Sequence, residues 1–132
     1  MKTYYLLLLI IIPFLSGCSD NVLSTENQFD SSINGKSISI NKNHQFILEL
    51  DLNADAGYRW DYSMTDTSVI RIDSTNYRPK SGNWNQVGGV TIETFYFCGI
   101  KKGNCTVNLF EHRVWESSIS PINTIQFNVI VK

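Results

Sequence analysis

Apolar and polar residues follow two different patterns along this chain. Residues 4–15 read YYLLLLIIIPFL, apolar without a single charge. From residue 37 onward, apolar residues recur at every second position in short bursts. Residues 37–40 (SISI) alternate, and in 45–52 (QFILELDL) Phe46, Leu48, Leu50 and Leu52 share one face. Residues 59–62 (RWDY), 69–72 (VIRI), 90–97 (VTIETFYF), 106–110 (TVNLF) and 124–131 (TIQFNVIV) supply five more segments rich in β-branched and aromatic residues. Side chains alternate between the faces of a strand, so each burst predicts a half-buried strand. No window of eleven or more residues carries a helical apolar stripe with caps. Short strands at this spacing predict an all-β sandwich or barrel, with the sandwich favoured by their irregular connections.

The first apolar run belongs to a different process. Twelve helical residues at ~1.5 Å each reach about 18 Å, well short of a ~30 Å hydrocarbon core. Lys2 supplies a short positive start, so the segment reads as a secretory signal rather than a spanning helix. Leu15-Ser16-Gly17-Cys18 follows at once and resembles a bacterial lipobox. That resemblance implies a lipoprotein signal peptide over residues 1–17, lipidation of Cys18 and a membrane anchor, since several acyl chains hold a protein where one alone binds marginally. Residues 19–34 (SDNVLSTENQFDSSIN) are polar and aperiodic. The expectation is a flexible tether over 18–35 and a single domain over 36–132. Ser19, in the position after the lipidated cysteine, resembles the enterobacterial signal that permits outer-membrane delivery. The expected location is therefore the cell envelope, at the outer membrane or cell surface rather than the inner membrane.

Charge narrows the partners. Without Lys2 the chain has ten basic residues against twelve acidic ones. There is no basic stripe, which argues against nucleic acid. Of three cysteines, Cys98 and Cys105 fall in the domain, and export places them in an oxidising compartment. Two arrangements are open. A hairpin turning at Lys101-Lys102 would set the two thiols opposite each other and allow a disulfide, contributing at most ~2.5 kcal/mol for so short a loop. Otherwise they are separate thiols on opposite sheet faces. His44 and His112 are the only histidines, and neither lies near a cysteine in sequence, so no metal site is expected.

Three segments between strands hold the candidate binding residues. The first is Asn53-Ala54-Asp55-Ala56-Gly57-Tyr58, with Arg59-Trp60 behind it. Gly57 permits a tight reversal, and the small side chains of Ala54 and Ala56 let backbone approach a partner. Read as an ordinary turn, the same segment would give Tyr58 and Trp60 to the core. The second is 82–89 (GNWNQVGG), within a stretch from 76 to 89 that is long for a loop without secondary structure. The third is Glu111-His112-Arg113-Val114-Trp115-Glu116, where tryptophan beside arginine matches the residue types of binding hot spots. In the alternative reading Trp115 folds back on the sandwich and Arg113 pairs with Glu111 or Glu116.

Together and in this order, the three segments resemble the chagasin family of cysteine-protease inhibitors. Its members carry an Asn-Pro-Thr-Thr-Gly-Tyr-like first loop followed by a tryptophan, a glycine pair leading into a strand, and an Arg-Pro-Trp loop. Here the matches are residues 53–60, Gly88-Gly89 before 90–97, and Arg113-Val114-Trp115. The resemblance implies an immunoglobulin-like β-sandwich of about seven to eight short strands. It implies a monomer without cofactor that blocks a papain-like cysteine peptidase with a wedge of three loops. Asn53, Ala54, Asp55, Ala56, Gly57, Tyr58, Gly88, Gly89, Arg113, Val114 and Trp115 would form that wedge. The first loop would cover the protease's catalytic cysteine and histidine. This chain departs from the family at Ala54, Asp55 and Ala56, which replace the proline and two threonines, and at Val114, which replaces the second proline.

Enzymatic chemistry has little to stand on. Neither histidine lies in a nucleophile motif. Asp51, Asp55, Glu111 and Glu116 are the carboxylates that could pair near the loops, or else are solvated loop charge. The competing non-enzymatic reading is an immunoglobulin-like surface lipoprotein that binds a partner without inhibiting it. The two readings part on geometry, because a wedge requires Gly57, Gly88 and Trp115 at one end of the sandwich.

Overall fold

The computed structural model describes residues 27–85 and 88–132. Eight strands form two four-stranded sheets: β1 (Gln28–Phe29), β2 (Ser37–Ile40), β3 (Gln45–Leu52), β4 (Arg59–Met64), β5 (Ile70–Pro79), β6 (Thr91–Gly99), β7 (Gly103–His112) and β8 (Asn123–Val131). One sheet has the order β1-β3-β6-β5 and the other β2-β8-β7-β4. The β1–β3 and β2–β8 pairs are parallel, and the rest are antiparallel.

The alternation read from sequence sets the packing. Phe46, Leu48, Leu50 and Leu52 of β3 all point inward, as do Val107 and Leu109 of β7 and Ile125, Phe127 and Val129 of β8. At the centre Phe46 and Phe97 stack with ring centroids 4.7 Å apart, and Phe127 meets both edge-on. Burying such side chains contributes about 1.5–3 kcal/mol each. The outer face of β6, which would expose Ile92 and Thr94, is bridged by pairs running from β5 and its end to β3. Arg78 meets Glu49 at 3.0 Å and Lys80 meets Asp51 at 2.6 Å.

Three expectations change. The domain begins before Lys36. Phe29 packs on the core and Ile33 lies within it, so residues 27–35 form part of the sandwich rather than a tether. Strand β5 runs to Pro79, far beyond residue 72, because β6 pairs with it on both sides of a bulge between Ile72 and Ser74. That pairing takes up residues 76–79, the start of the stretch expected as loop. Finally, Cys98 and Cys105 do not form a disulfide, and Cys105 is a free thiol. Residues between them carry the chain from one sheet to the other instead of closing a hairpin. Phe97 faces the core, so Cys98 faces the outside of its sheet, whereas Cys105 stands beside Val129 within the core. Cys18 and the signal segment lie outside the described residues.

Candidate functional site

From β3 onward the strands alternate in direction, so the β3–β4, β5–β6 and β7–β8 connections all emerge at one end. These are the three loops singled out in the sequence. The first leaves β3 at Asn53 and makes a single 3-10 turn, Ala54–Ala56. The Gly57 N–H donates to Ala54 O at 2.9 Å, and Gly57 takes φ 80°, a left-handed conformation that glycine adopts without steric cost. The turn holds the short side chains of Ala54 and Asp55 out in solvent. Tyr58 packs partly on the core and Trp60 is buried, its Nε1 donating to Asp51 O at 3.0 Å. The turn reading of these two aromatics therefore holds alongside an exposed loop tip.

The third loop is built around Arg113. Its Nε donates to Ala56 O of the first loop at 2.8 Å. Its Nη1 meets Glu116 at 3.1 Å, and its Cζ lies 4.5 Å above the Tyr58 ring. The guanidinium thus joins two loops from within, with Glu116 rather than Glu111 as its acidic partner. Trp115 remains 66 % exposed, yet one edge of its indole rests on Gly57. A Cβ at Gly57 would overlap Cη2 of that ring and lie 2.8 Å from Cζ2. Glycine is therefore required here twice, by φ and by the ring above it.

The second loop is closed at its root by Lys80 N–H donating to Val90 O at 2.8 Å. It is held to the first loop by Gly88, whose N–H donates to Asp55 Oδ2 at 2.7 Å. Trp84, within this loop, is 74 % exposed. Gly57, Gly88 and Trp115 accordingly lie at one end of the sandwich. Six of the eight exposed large apolar side chains among the described residues belong to the second and third loops or their ends: Trp84, Val90, Val114, Trp115, Ile119 and Ile122. Apolar surface gathered this way marks an interaction site.

Two buried acids support this end. Glu111, 3 % exposed, accepts Asn53 N–H at 3.4 Å and Asn123 Nδ2–H at 2.6 Å, tying the roots of the first and third loops. Glu93, also 3 % exposed, sits on the inner face beside Leu50. Burial raises its carboxyl above the usual glutamate range, against the opposing effect of the Tyr77 hydroxyl, which donates to Oε1 at 2.9 Å. Burial likewise raises the Tyr77 phenol. Sequence reasoning placed Glu111 among carboxylates that could pair. Instead Asp51 meets Lys80, Asp55 meets Gly88, Glu116 meets Arg113, and Glu111 is enclosed by amide donors. Trp84 and Glu93 were visible in sequence, but nothing there distinguished the exposed Trp84 and Trp115 from the buried Trp60.

The model of the family described as "Chagasin family peptidase inhibitor I42" matches residues 39–129. The chain belongs to the chagasin family. Chagasin-family proteins are inhibitors, not enzymes, and the match spans all three loops. Solved structures agree on the fold. The chain is similar to the cysteine protease inhibitor EhICP2 from Entamoeba histolytica, with TM-score 0.72 and 19 % identity over 80 % of this chain and 95 % of that one. It is similar to amebosin, with TM-score 0.64 and 19 % identity over 80 % and 98 %. It is also similar to PbICP-C, solved in complex with falcipain-2, with TM-score 0.53 and 17 % identity over 80 % and 90 %. No curated protein sequence matches. In this chagasin-family chain, the residues at the family's first-loop, glycine-pair and Arg-Pro-Trp positions form one hydrogen-bonded edge.

Proposed function

We propose that this inhibitor takes papain-like cysteine peptidases as its targets and fills their active-site cleft with the three-loop edge. The observation that carries the reading is the joining of the loops, Gly88 to Asp55 and Arg113 to Ala56, at a single end of a rigid sandwich. Loops ordered before binding lose little entropy when they dock. The structural likeness to PbICP-C, which was solved with falcipain-2, supports the same target class. In this reading the first loop enters deepest, Trp115 and Trp84 flank it, and Arg113 keeps the first and third loops in register. Inhibition needs no acyl-enzyme, because the loop occludes the thiolate without presenting a scissile carbonyl in line with it. The test is titration of the purified full chain, in detergent, against a panel of papain-type enzymes. Stoichiometric inhibition of at least one member is expected, and no inhibition of any at micromolar concentration would overturn the proposal.

The proposal extends to location. The Leu15-Ser16-Gly17-Cys18 segment supports export and lipid anchoring at Cys18, with the domain acting as a monomer at the cell envelope. Metabolic labelling with a palmitate analogue in a bacterial host should mark the wild-type chain and not C18A. Equal labelling of both, or of neither, would remove the anchor.

A further inference from the structure

Asp55 is the charged residue among the first-loop departures from the family pattern, and its surroundings assign it a task. It stands at the exposed tip of the 3-10 turn, where its backbone is fixed by Ala56 N–H and Gly57 N–H donating back to Asn53 O and Ala54 O. From there Oδ2 reaches the second loop and accepts the Gly88 N–H at 2.7 Å across 33 residues of sequence. Gly88 itself has φ 76°, so the amide is presented by a backbone conformation that side-chain-bearing residues rarely adopt. A glycine-rich loop left untied would have to be ordered on docking, at a cost in affinity. A carboxylate accepting a backbone N–H is among the stronger classes of hydrogen bond, and it commits the charge to a partner inside the molecule.

We infer that Asp55 is a positioning residue whose carboxylate latches the second loop onto the first, fixing the spacing of the two loops before any protease arrives. This deepens the reading of the edge as a protease-binding wedge, and its effect on inhibition rests on that reading. The latch gives Asp55 an internal partner in place of the protease's catalytic pair. Asparagine keeps a side-chain oxygen in the same place and can still accept from Gly88, whereas alanine cannot.

The experiment compares wild type, D55N and D55A in the full chain, with two readouts. In the free protein, amide exchange at Gly88 should be about tenfold faster in D55A, the equivalent of one modest hydrogen bond, and change little in D55N. Against a papain-type enzyme that wild type inhibits, the inhibition constant should rise about tenfold in D55A and stay within about threefold in D55N, with the loss in D55A falling mainly on the association rate. Unchanged Gly88 exchange in D55A would overturn the latch. So would equal damage by D55N and D55A, carried by faster dissociation, which would assign the charge a direct contact with the protease. If wild type inhibits nothing, the wedge reading fails, while the exchange comparison still decides the latch.

Discussion

Replacing Gly57 by alanine asks whether the first and third loops work as one surface. Two costs follow from the structure. Gly57 sits at φ 80°, and holding a side-chain-bearing residue in the left-handed region costs about 1–2 kcal/mol. The new methyl would also overlap the Trp115 indole, with Cζ2 only 2.8 Å away, so the ring must swing off the loop. An exposed ring can do this without unfolding anything. Stability should therefore fall only by the backbone cost, which for a domain of about 100 residues lowers Tm by roughly 4–8 °C per kcal/mol. Binding should fall further. A displaced tryptophan of hot-spot type forfeits about 2 kcal/mol or more, or about thirtyfold in the inhibition constant. The assay is a melting curve plus inhibition constants for G57A, W115A and the double variant. If G57A acts through the ring, the double variant binds about as weakly as W115A alone, because neighbouring effects that share a cause do not add. Wild-type inhibition by G57A, or strict additivity in the double variant, would refute the coupling of Gly57 to Trp115.

Other outcomes follow from the same structure. W115A alone should weaken inhibition by about 2 kcal/mol or more while leaving Tm nearly unchanged, and a loss below about 0.5 kcal/mol in the inhibition constant would place Trp115 at the rim. L48A, deep in the core, should cost about 2–5 kcal/mol in urea denaturation without altering the loops' binding per folded molecule, and a loss under 1 kcal/mol would contradict its burial. Glu93 predicts a pH dependence of defined sign. Its carboxyl titrates above the usual 4.5 in the fold, so between 4.5 and the raised value the folded chain holds more protons than the unfolded one, and its contribution to stability falls as pH rises through that window. Urea midpoints of wild type relative to E93Q should decline as pH is raised from 4.5, whereas parallel profiles would rule out a buried, hard-to-ionise Glu93.

Seven of the eight strands could be read from alternation alone, since each buries one face on a shared core. Strand β1 could not. Its two residues lie in the polar stretch before Ser37, and their pairing with Ile47 and Leu48 is purely tertiary. The far half of β5 was hidden for a similar reason. Residues 73–78 are polar because they form a sheet edge, and a bulge breaks their alternation. The loops were visible as segments, and strand parity brings them together. The work of individual loop residues was not legible, because their partners are remote in sequence. Arg113 looked like a contact residue, yet it bonds Ala56, 57 positions away. Asp55 looked like a charge offered to a protease, yet it holds Gly88. Whether Cys98 and Cys105 could bond to each other turned on whether residues 99–104 fold back or cross over, and six residues of that composition allow either.

The direction of β1 has a consequence for how the molecule presents itself. Because β1 runs parallel to β3, which climbs toward the loops, the described chain enters the fold from the opposite pole. Asn27 lines a small cavity there with His44 and the C-terminal Lys132. Both ends of the described chain therefore sit beneath the sandwich, and the three loops crown it. Anything that holds the protein from before Asn27, whether a lipid, a bead or a fusion partner, leaves the binding edge pointing outward. A large protease could then dock from above without meeting the surface on which the inhibitor stands.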